Sequence, residues 1–422
     1  MNLRQEADLI IRAALQKVMP DEAVVRALKD KSFHEGRIYL VAAGKAAWQM
    51  AKTAESVLGD KLQAGVCVTK YGHVQGAISK VVCYEAGHPI PDENSFKGTQ
   101  AALDMVSNLT EEDTVVFLLS GGGSALFEKP LISGQELSDI TAQLLACGAD
   151  IREMNMIRKR LSAVKGGRFA QICAPAKVYS IVLSDIIGDP LDMIASGPAF
   201  PDSSTCSQAL AVMEKYRLRL SQQACRLLRI ETPKELDNVE TVITGSVKKL
   251  CLAAAEACES LGYRTVLLTD QLCCEAREAG SFLASIARTH QDTEYSLAFL
   301  AGGETIVHLT GNGKGGRNQE LALAAAQGIS GLKDTAVFSI GSDGTDGPTD
   351  AAGGYCDENT KKRLEFAGID IFRTLQDNNA YEALGKAGGL LRTGATGTNV
   401  NDVAVVLISR GKGRNKNTKN KF

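Results

Sequence analysis

Aromatic residues are scarce in this 422-residue chain, at 5% with a single Trp48. That leaves few platforms for stacking single-stranded nucleic acid bases. No CxxC pair occurs among eleven cysteines, and five histidines form no ligand-spaced pair, so a structural zinc is not expected. Unpatterned cysteines in a long chain read as reduced core thiols, which suits the cytoplasm. No apolar run approaches the ~18 residues of a membrane span. With Arg4, Glu6, Asp8 and Arg12 near the N-terminus, no signal peptide is expected there. Net charge is −2, so no global field gathers polyanions. Six basic residues and no acid follow from Arg410 to Phe422, leaving 41 basic against 49 acidic residues elsewhere. The tail reads as a solvated terminus, with a nucleic-acid arm as the alternative.

What is abundant is glycine: 41 residues, about 10% against a usual ~7%. The excess sits in clusters after apolar runs. At the start, Leu9, Ile10, Ala13, Ala14, Lys17 and Val18 line one helical face before Pro20 breaks it. Short β-rich runs then alternate with Ala/Leu-rich stretches, predicting parallel strands joined by crossover helices. Expected strands are 38–42, 65–69, 81–84, 114–119 and 178–183, then 241–243, 265–268, 295–300, 305–309, 336–340 and 402–408. A polar stretch from Arg229 to Asn238 predicts a boundary between a domain at 1–235 and another at 236–409, with a disordered tail at 410–422.

Five strand exits are polar and glycine-rich, where open parallel sheets bind ligands. Gly44-Lys45 opens an alanine-rich helix closed by Gly59. A cation there makes sense mainly beside a docked anion; the alternative is a solvent-pointing lysine. Ser120-Gly121-Gly122-Gly123-Ser124 can offer several backbone N–H groups to a phosphate, or be a plain turn. No GxxxxGK[ST] loop occurs. Asp185 stands where a carboxylate can take a proton from a substrate hydroxyl. Gly311-Asn-Gly313-Lys-Gly315-Gly316 satisfies G-x-G-x-x-G, but the preceding alternating run is a poor first dinucleotide-fold strand. Lys314 and Arg317 suit a more highly charged anion. Asn318 is expected to cap the next helix. Asp343 and Asp346 offer hard oxygen ligands to Mg²⁺, or are turn carboxylates. Thr393–Asp402, with Asn399, is a hydroxyl- and amide-rich loop.

Taken together, these segments resemble the class II glycerate kinases, the family whose C-terminal half is called the MOFRL domain. The resemblance rests on Ala43-Gly-Lys-Ala-Ala47, Leu119–Ala125, Ser184–Pro190 with Ala195–Pro198, Gly302–Thr305, Gly315–Glu320, Ser342–Gly347 and Thr396–Asp402. It implies an α/β protein with a Rossmann-like three-layer N-terminal domain and a smaller α/β C-terminal domain, its active site in the cleft between them. It further implies an ATP-dependent, Mg²⁺-requiring kinase that converts D-glycerate to 2-phosphoglycerate. Lys45 and Arg317 stand where the family's catalytic lysine and arginine are expected. With Asp185 as base or orienter, the nucleotide falls to Gly121, Gly122, Gly123, Ser124, Gly315, Gly316 and Asn399. The metal falls to Asp343 and Asp346. Neither nucleic acid nor membrane is expected as a partner, and the chain is expected as a monomer or homodimer. A nicotinamide-dependent hydroxypyruvate reductase is the alternative enzyme, and a sugar-acid sensor the non-catalytic one. Both cations should be bare, so removing either should leave stability unchanged or slightly raised.

Overall fold

A computed structural model describes residues 1–29, 31–33 and 36–410. Most of the basic tail therefore lies outside the described residues. The chain divides into two compact units: Pro20–Gly245, and Met1–Met19 together with residues from Ser246 onward. The polar stretch 229–238 thus lies within the first unit, ahead of its last strand.

That unit holds a six-stranded sheet: β1 (Ile38–Ala43), β2 (Leu62–Lys70), β3 (Val81–Ala86), β4 (Thr114–Leu119), β5 (Lys177–Leu183) and β6 (Val239–Gly245). The order is β3-β2-β1-β4-β5-β6, every pair parallel. Side chains alternate faces along a strand, and here both faces are covered. Tyr39, Val41 and Ala43 pack with Ala102, Leu103, Phe169 and Ala170 of two helices. Ile38, Leu40 and Ala42 pack on the other side with Ala23, Val24, Ala47 and Met50. That makes three layers. Helices Gly134–Ala146, Ile151–Arg160, Cys206–Lys215 and Gln222–Leu227 close a separate small core.

The other unit contains β7 (Arg264–Leu272), β8 (Leu297–Gly303), β9 (Thr335–Gly341), β10 (Gly353–Asp357), β11 (Leu390–Leu391) and β12 (Asp402–Ile408), in the order β11-β10-β9-β12-β8-β7. Only β7 and β8 run parallel; β12 is antiparallel to both β8 and β9. The all-parallel expectation holds for the first sheet and not the second. Residues 305–309 form no strand: Ile306 makes an isolated bridge to Glu275, while Leu309 is 84% exposed. β10 begins with two glycines and β11 is two residues long, so neither carries a strand pattern.

The first helix, Leu3–Val18, belongs to this second unit. Its buried face is Ala7, Ile10, Ile11, Ala14, Leu15 and Val18, packed with Val247, Leu250 and Cys251. The face is rotated from the one expected, since Leu9 and Lys17 are exposed. Pro20 opens the next helix rather than only ending this one, as its missing N–H permits at a first helical position. Among the described residues no helix is long and apolar enough to cross a membrane.

Candidate functional site

The strand order of the first sheet places a switch point between β1 and β4, where crossovers leave in opposite directions and ligands bind outside the carboxyl ends. β1 runs into Gly44-Lys45 and β4 into Ser120–Ser124. The two exits are knitted together: Lys45 N–H donates to the Gly121 carbonyl at 2.9 Å, and Ala46 N–H to Ser120 Oγ at 3.1 Å. Lys45 is half-buried, and among the described residues its ammonium has no ion-pair partner.

Three reactive side chains converge on the next two glycines. A Cβ on Gly121 would lie 2.2 Å from Asp185 Oδ2, so the Asp185 carboxylate rests directly on this backbone. A Cβ on Gly122, which adopts φ +85°, would lie 2.9 Å from the His88 ring and 3.3 Å from Lys45 Cγ. Only glycine leaves room for all three. Burial, and then the charges of Lys45, Lys70 and His73, hold the His88 pKa below its ordinary value, favouring the neutral imidazole. His88 follows β3 and escaped sequence reasoning, which weighed histidines only as metal-spaced pairs.

The rest of the loop serves itself. Gly123 N–H donates to the Ser120 carbonyl at 3.3 Å, and a Cβ on Gly123 would meet Ala195 at 2.8 Å. Ser196 Oγ donates to Asn155 Oδ1 at 2.8 Å, so the 3.0 Å contact between Ser124 and Ser196 makes Ser124 the donor. Among the described residues the Gly121 and Gly122 N–H groups make no hydrogen bond, so both remain available to an anion.

In the second unit Asp402 opens β12 between the ends of β8 and β9, in register with Gly303 and Gly341. It receives Arg317 through two hydrogen bonds, Nε to Oδ2 at 2.5 Å and Nη2 to Oδ1 at 3.0 Å. Arg317 Nη1 also reaches Glu304 at 2.8 Å. Arg317 is thus not a bare cation. Burial works against its charge, but Asp402 and Glu304 raise its pKa further above the ordinary arginine range. Burial also pushes Asp402 up to about 6, against the pull of Arg317. Three of five guanidinium N–H groups are engaged, leaving one on each terminal nitrogen.

Asp343 and Asp346 part company. Asp346 is 3% exposed, and its carboxylate accepts from Asn318 N (3.1 Å), Asn318 Nδ2 (3.3 Å), Gln319 N (2.9 Å) and Gln319 Nε2 (2.9 Å). It is the anion at the start of helix Arg317–Gly328, its two oxygens shared among these four donors. Asn318, expected as the cap, lies inside that helix. The backbone around Gly315 and Gly316 is closely packed. A Cβ on Gly316 would lie 2.3 Å from Asp346 Cγ, and one on Gly347 only 2.2 Å from the Gly315 carbonyl oxygen. These glycines allow that close packing. Asp343 is half-exposed, with Oδ1 accepting Thr345 N–H at 2.9 Å. Among the described residues no three His, Cys, Asp or Glu side chains group as a metal site. Asn399 Oδ1 accepts Asn401 N–H at 3.3 Å in a local turn.

The G-x-G-x-x-G run has a different use as well. Cβ atoms on Gly311 and Gly313 would lie 2.3 Å from Asp377 Cα and 2.4 Å from Asn379 Cβ. The chain's own 377–379 segment packs directly on these two glycines.

The model described as "Domain of unknown function (DUF4147)" matches residues 6–229, and the MOFRL family model matches residues 297–402. A D-glycerate 2-kinase from Thermotoga maritima is 51% identical, covering 96% of this chain and 99% of its own. A glycerate 2-kinase from Pyrococcus horikoshii is 38% identical, covering 98% and 99% respectively. The crystal structure of a Thermotoga maritima glycerate kinase superposes with a TM-score of 0.93 over 96% of this chain and 99% of that one. Likeness of this extent, in both sequence and fold, makes the chain a member of the class II glycerate kinase family.

Proposed function

We propose that the protein transfers the γ-phosphoryl group of ATP to the 2-hydroxyl of D-glycerate, giving 2-phosphoglycerate and ADP. The observation that carries this reading is the convergence of Lys45, Asp185 and His88 on Gly121-Gly122 at the switch point. Phosphoryl transfer asks a protein mainly to align the groups and neutralise charge. Asp185 orients the hydroxyl and accepts its proton as the oxygen–phosphorus bond forms and the β–γ bridge breaks. Lys45 and the Gly121 and Gly122 amides face the equatorial oxygens of the transferred group. Arg317, oriented by Asp402 and Glu304, offers its two remaining N–H groups to nucleotide phosphate, and Asn399 supports the nucleotide. Mg²⁺ carried by ATP neutralises phosphate charge when bound. It usually needs one or two protein carboxylates, and Asp343 would supply one.

Phosphorus NMR of the product formed from ATP and D-glycerate tests the reading, because it reports the hydroxyl used. A 2-phosphoglycerate signal is expected. A 3-phosphoglycerate signal, or nicotinamide oxidation with hydroxypyruvate and no phosphorylated product, overturns it.

A further inference from the structure

Helix Ile151–Arg160 ends in three consecutive cations, and two of them are accounted for. Lys159 Nζ lies 2.9 Å from Asp202 Oδ1. Arg160 is wholly buried, bound to Ser204 Oγ at 3.0 Å and to the Ser204 carbonyl at 2.9 Å, with Asp202 at 3.7 Å and Glu231 at 3.3 Å. Arg158 differs. Its guanidinium donates from Nη2 to the Ser124 carbonyl at 3.2 Å and, unlike the cationic groups of its two neighbours, pairs with no carboxylate among the described residues; its Nε, like that of Arg160, is buried without a partner. Nearby, burial and then the charge of Arg158 press on Lys165, whose pKa is held down to about 8 despite Glu128 at 2.7 Å. An arginine in such surroundings is an unanswered positive charge.

Its placement is held firmly. Asn155 and Arg158 are three residues apart and share one helix face. Asn155 accepts from Ser196, which accepts from Ser124. Ala195 and Ser196 adopt φ of +49° and +62°, a strained conformation for residues with side chains, and Ser196 is fully buried there. The strained turn thus bolts the helix to the glycine loop on one side, while Arg158 grips the loop carbonyl on the other. The loop that carries Asp185 and Lys45 at Gly121-Gly122 carries Arg158 at Ser124.

We propose that Arg158 binds the carboxylate of the acceptor, fixing D-glycerate so that its 2-hydroxyl meets Asp185. This rests on the kinase reading above. A guanidinium fork matches a carboxylate in a bidentate manner, and among the described residues Arg158 commits only one Nη2 N–H, to Ser124, which leaves the edge formed by Nη1 and Nη2 for such a pair. A carboxylate needs a cation set apart from Asp185, whose own negative charge would repel it. Arg158, two to three residues further along the loop, provides that separation.

The test compares D-glycerate with its neutral amide, D-glyceramide, in the full-length parent, Arg158→Gln and Arg158→Lys, with melting temperatures recorded for each. Losing one partner of a desolvated charge pair costs about 30-fold or more in binding. Arg158→Gln should raise KM for D-glycerate by about that factor, leave KM for ATP unchanged, and erase most of the parent's preference for acid over amide. Arg158→Lys should restore part of that preference. A general structural defect would lower turnover of acid and amide alike, so an unchanged acid-to-amide ratio in both variants overturns the assignment. A rise in KM for ATP alone also overturns it, by moving Arg158 to the nucleotide. If the parent itself does not phosphorylate D-glycerate, it is the kinase reading that falls, and this assignment with it.

Discussion

Arg317 and Asp402 are locked together by two near-parallel hydrogen bonds although 85 positions separate them in the chain. The Asp402 side chain is 8% exposed and the Arg317 side chain 33%. Asp402 therefore depends on Arg317 for its charge balance. This reverses the stability expected of an unpaired arginine at a helix start. Arg317→Met should lower kcat by about 10²–10³-fold or more, and it should also lower the melting temperature. Stranding a buried carboxylate costs on the order of a few kcal/mol. The double variant Arg317→Met/Asp402→Asn should regain stability and not activity. Lys45→Met should lose rate alone, since its ammonium has no ion pair to strand. Calorimetric melts beside steady-state rates check all of these; a parent-like melt for Arg317→Met counts against them.

The two loop aspartates should separate cleanly. Asp343→Asn should raise the Mg²⁺ concentration needed for half-maximal rate with an unchanged melt. Asp346→Asn should leave the Mg²⁺ titration in place and lower stability by at least the ~1 kcal/mol of a lost helix cap. Overlapping Mg²⁺ titrations for Asp343→Asn and parent would remove Asp343 from the metal.

Gly121→Ala is a probe of Asp185. The added methyl would sit 2.2 Å from Asp185 Oδ2, so the carboxylate must move. A positioned general base contributes about 10²–10⁴-fold. Gly121→Ala and Asp185→Asn should therefore lower kcat by similar factors, and the double variant should be little worse than either. Multiplicative losses would show that the two act separately.

His88 gives a pH signature. Its folded pKa is depressed by burial and by Lys45, Lys70 and His73, so the folded state resists protonation. The stability this contributes is present above the ordinary histidine pKa of about 6.5 and is lost as pH falls below it. The melting temperature of the parent should drop on acidification from pH 7 to 5, and His88→Gln should drop less. Parallel curves would mean that His88 takes up protons equally in both states.

How much of this was legible follows from where the information lies. β1, β4 and β12 are continuous apolar runs, and burial on both faces demands that pattern, so periodicity and length find them. The placement of Lys45, Asp185 and Gly121-Gly122 at strand exits was legible because each begins within two residues of the end of a buried strand. The roles of Arg317 and Asp346 were not, because their partners lie 85 and 27–28 positions away. Arg158 was hidden for another reason. Within Arg158-Lys159-Arg160 it looks like one more cation at a helix C-terminus, where the dipole favours positive charge, and only the pairing of its neighbours singles it out.

The membership of helix Leu3–Val18 in the second unit has a consequence for biosynthesis. Thr398 Oγ1 donates to the Val18 carbonyl at 3.0 Å, Arg4 binds the carbonyls of Gly388 and Leu390, and Tyr263 donates to Glu6. The segment up to Val18 thus packs with residues translated as many as 386 positions later. The Pro20–Gly245 unit has all its strands once Gly245 has emerged, whereas the helix must wait, its apolar face uncovered, while nearly 400 residues are made. A nascent chain stalled after Gly245 should present that face to chaperones, and release of β12 should withdraw it.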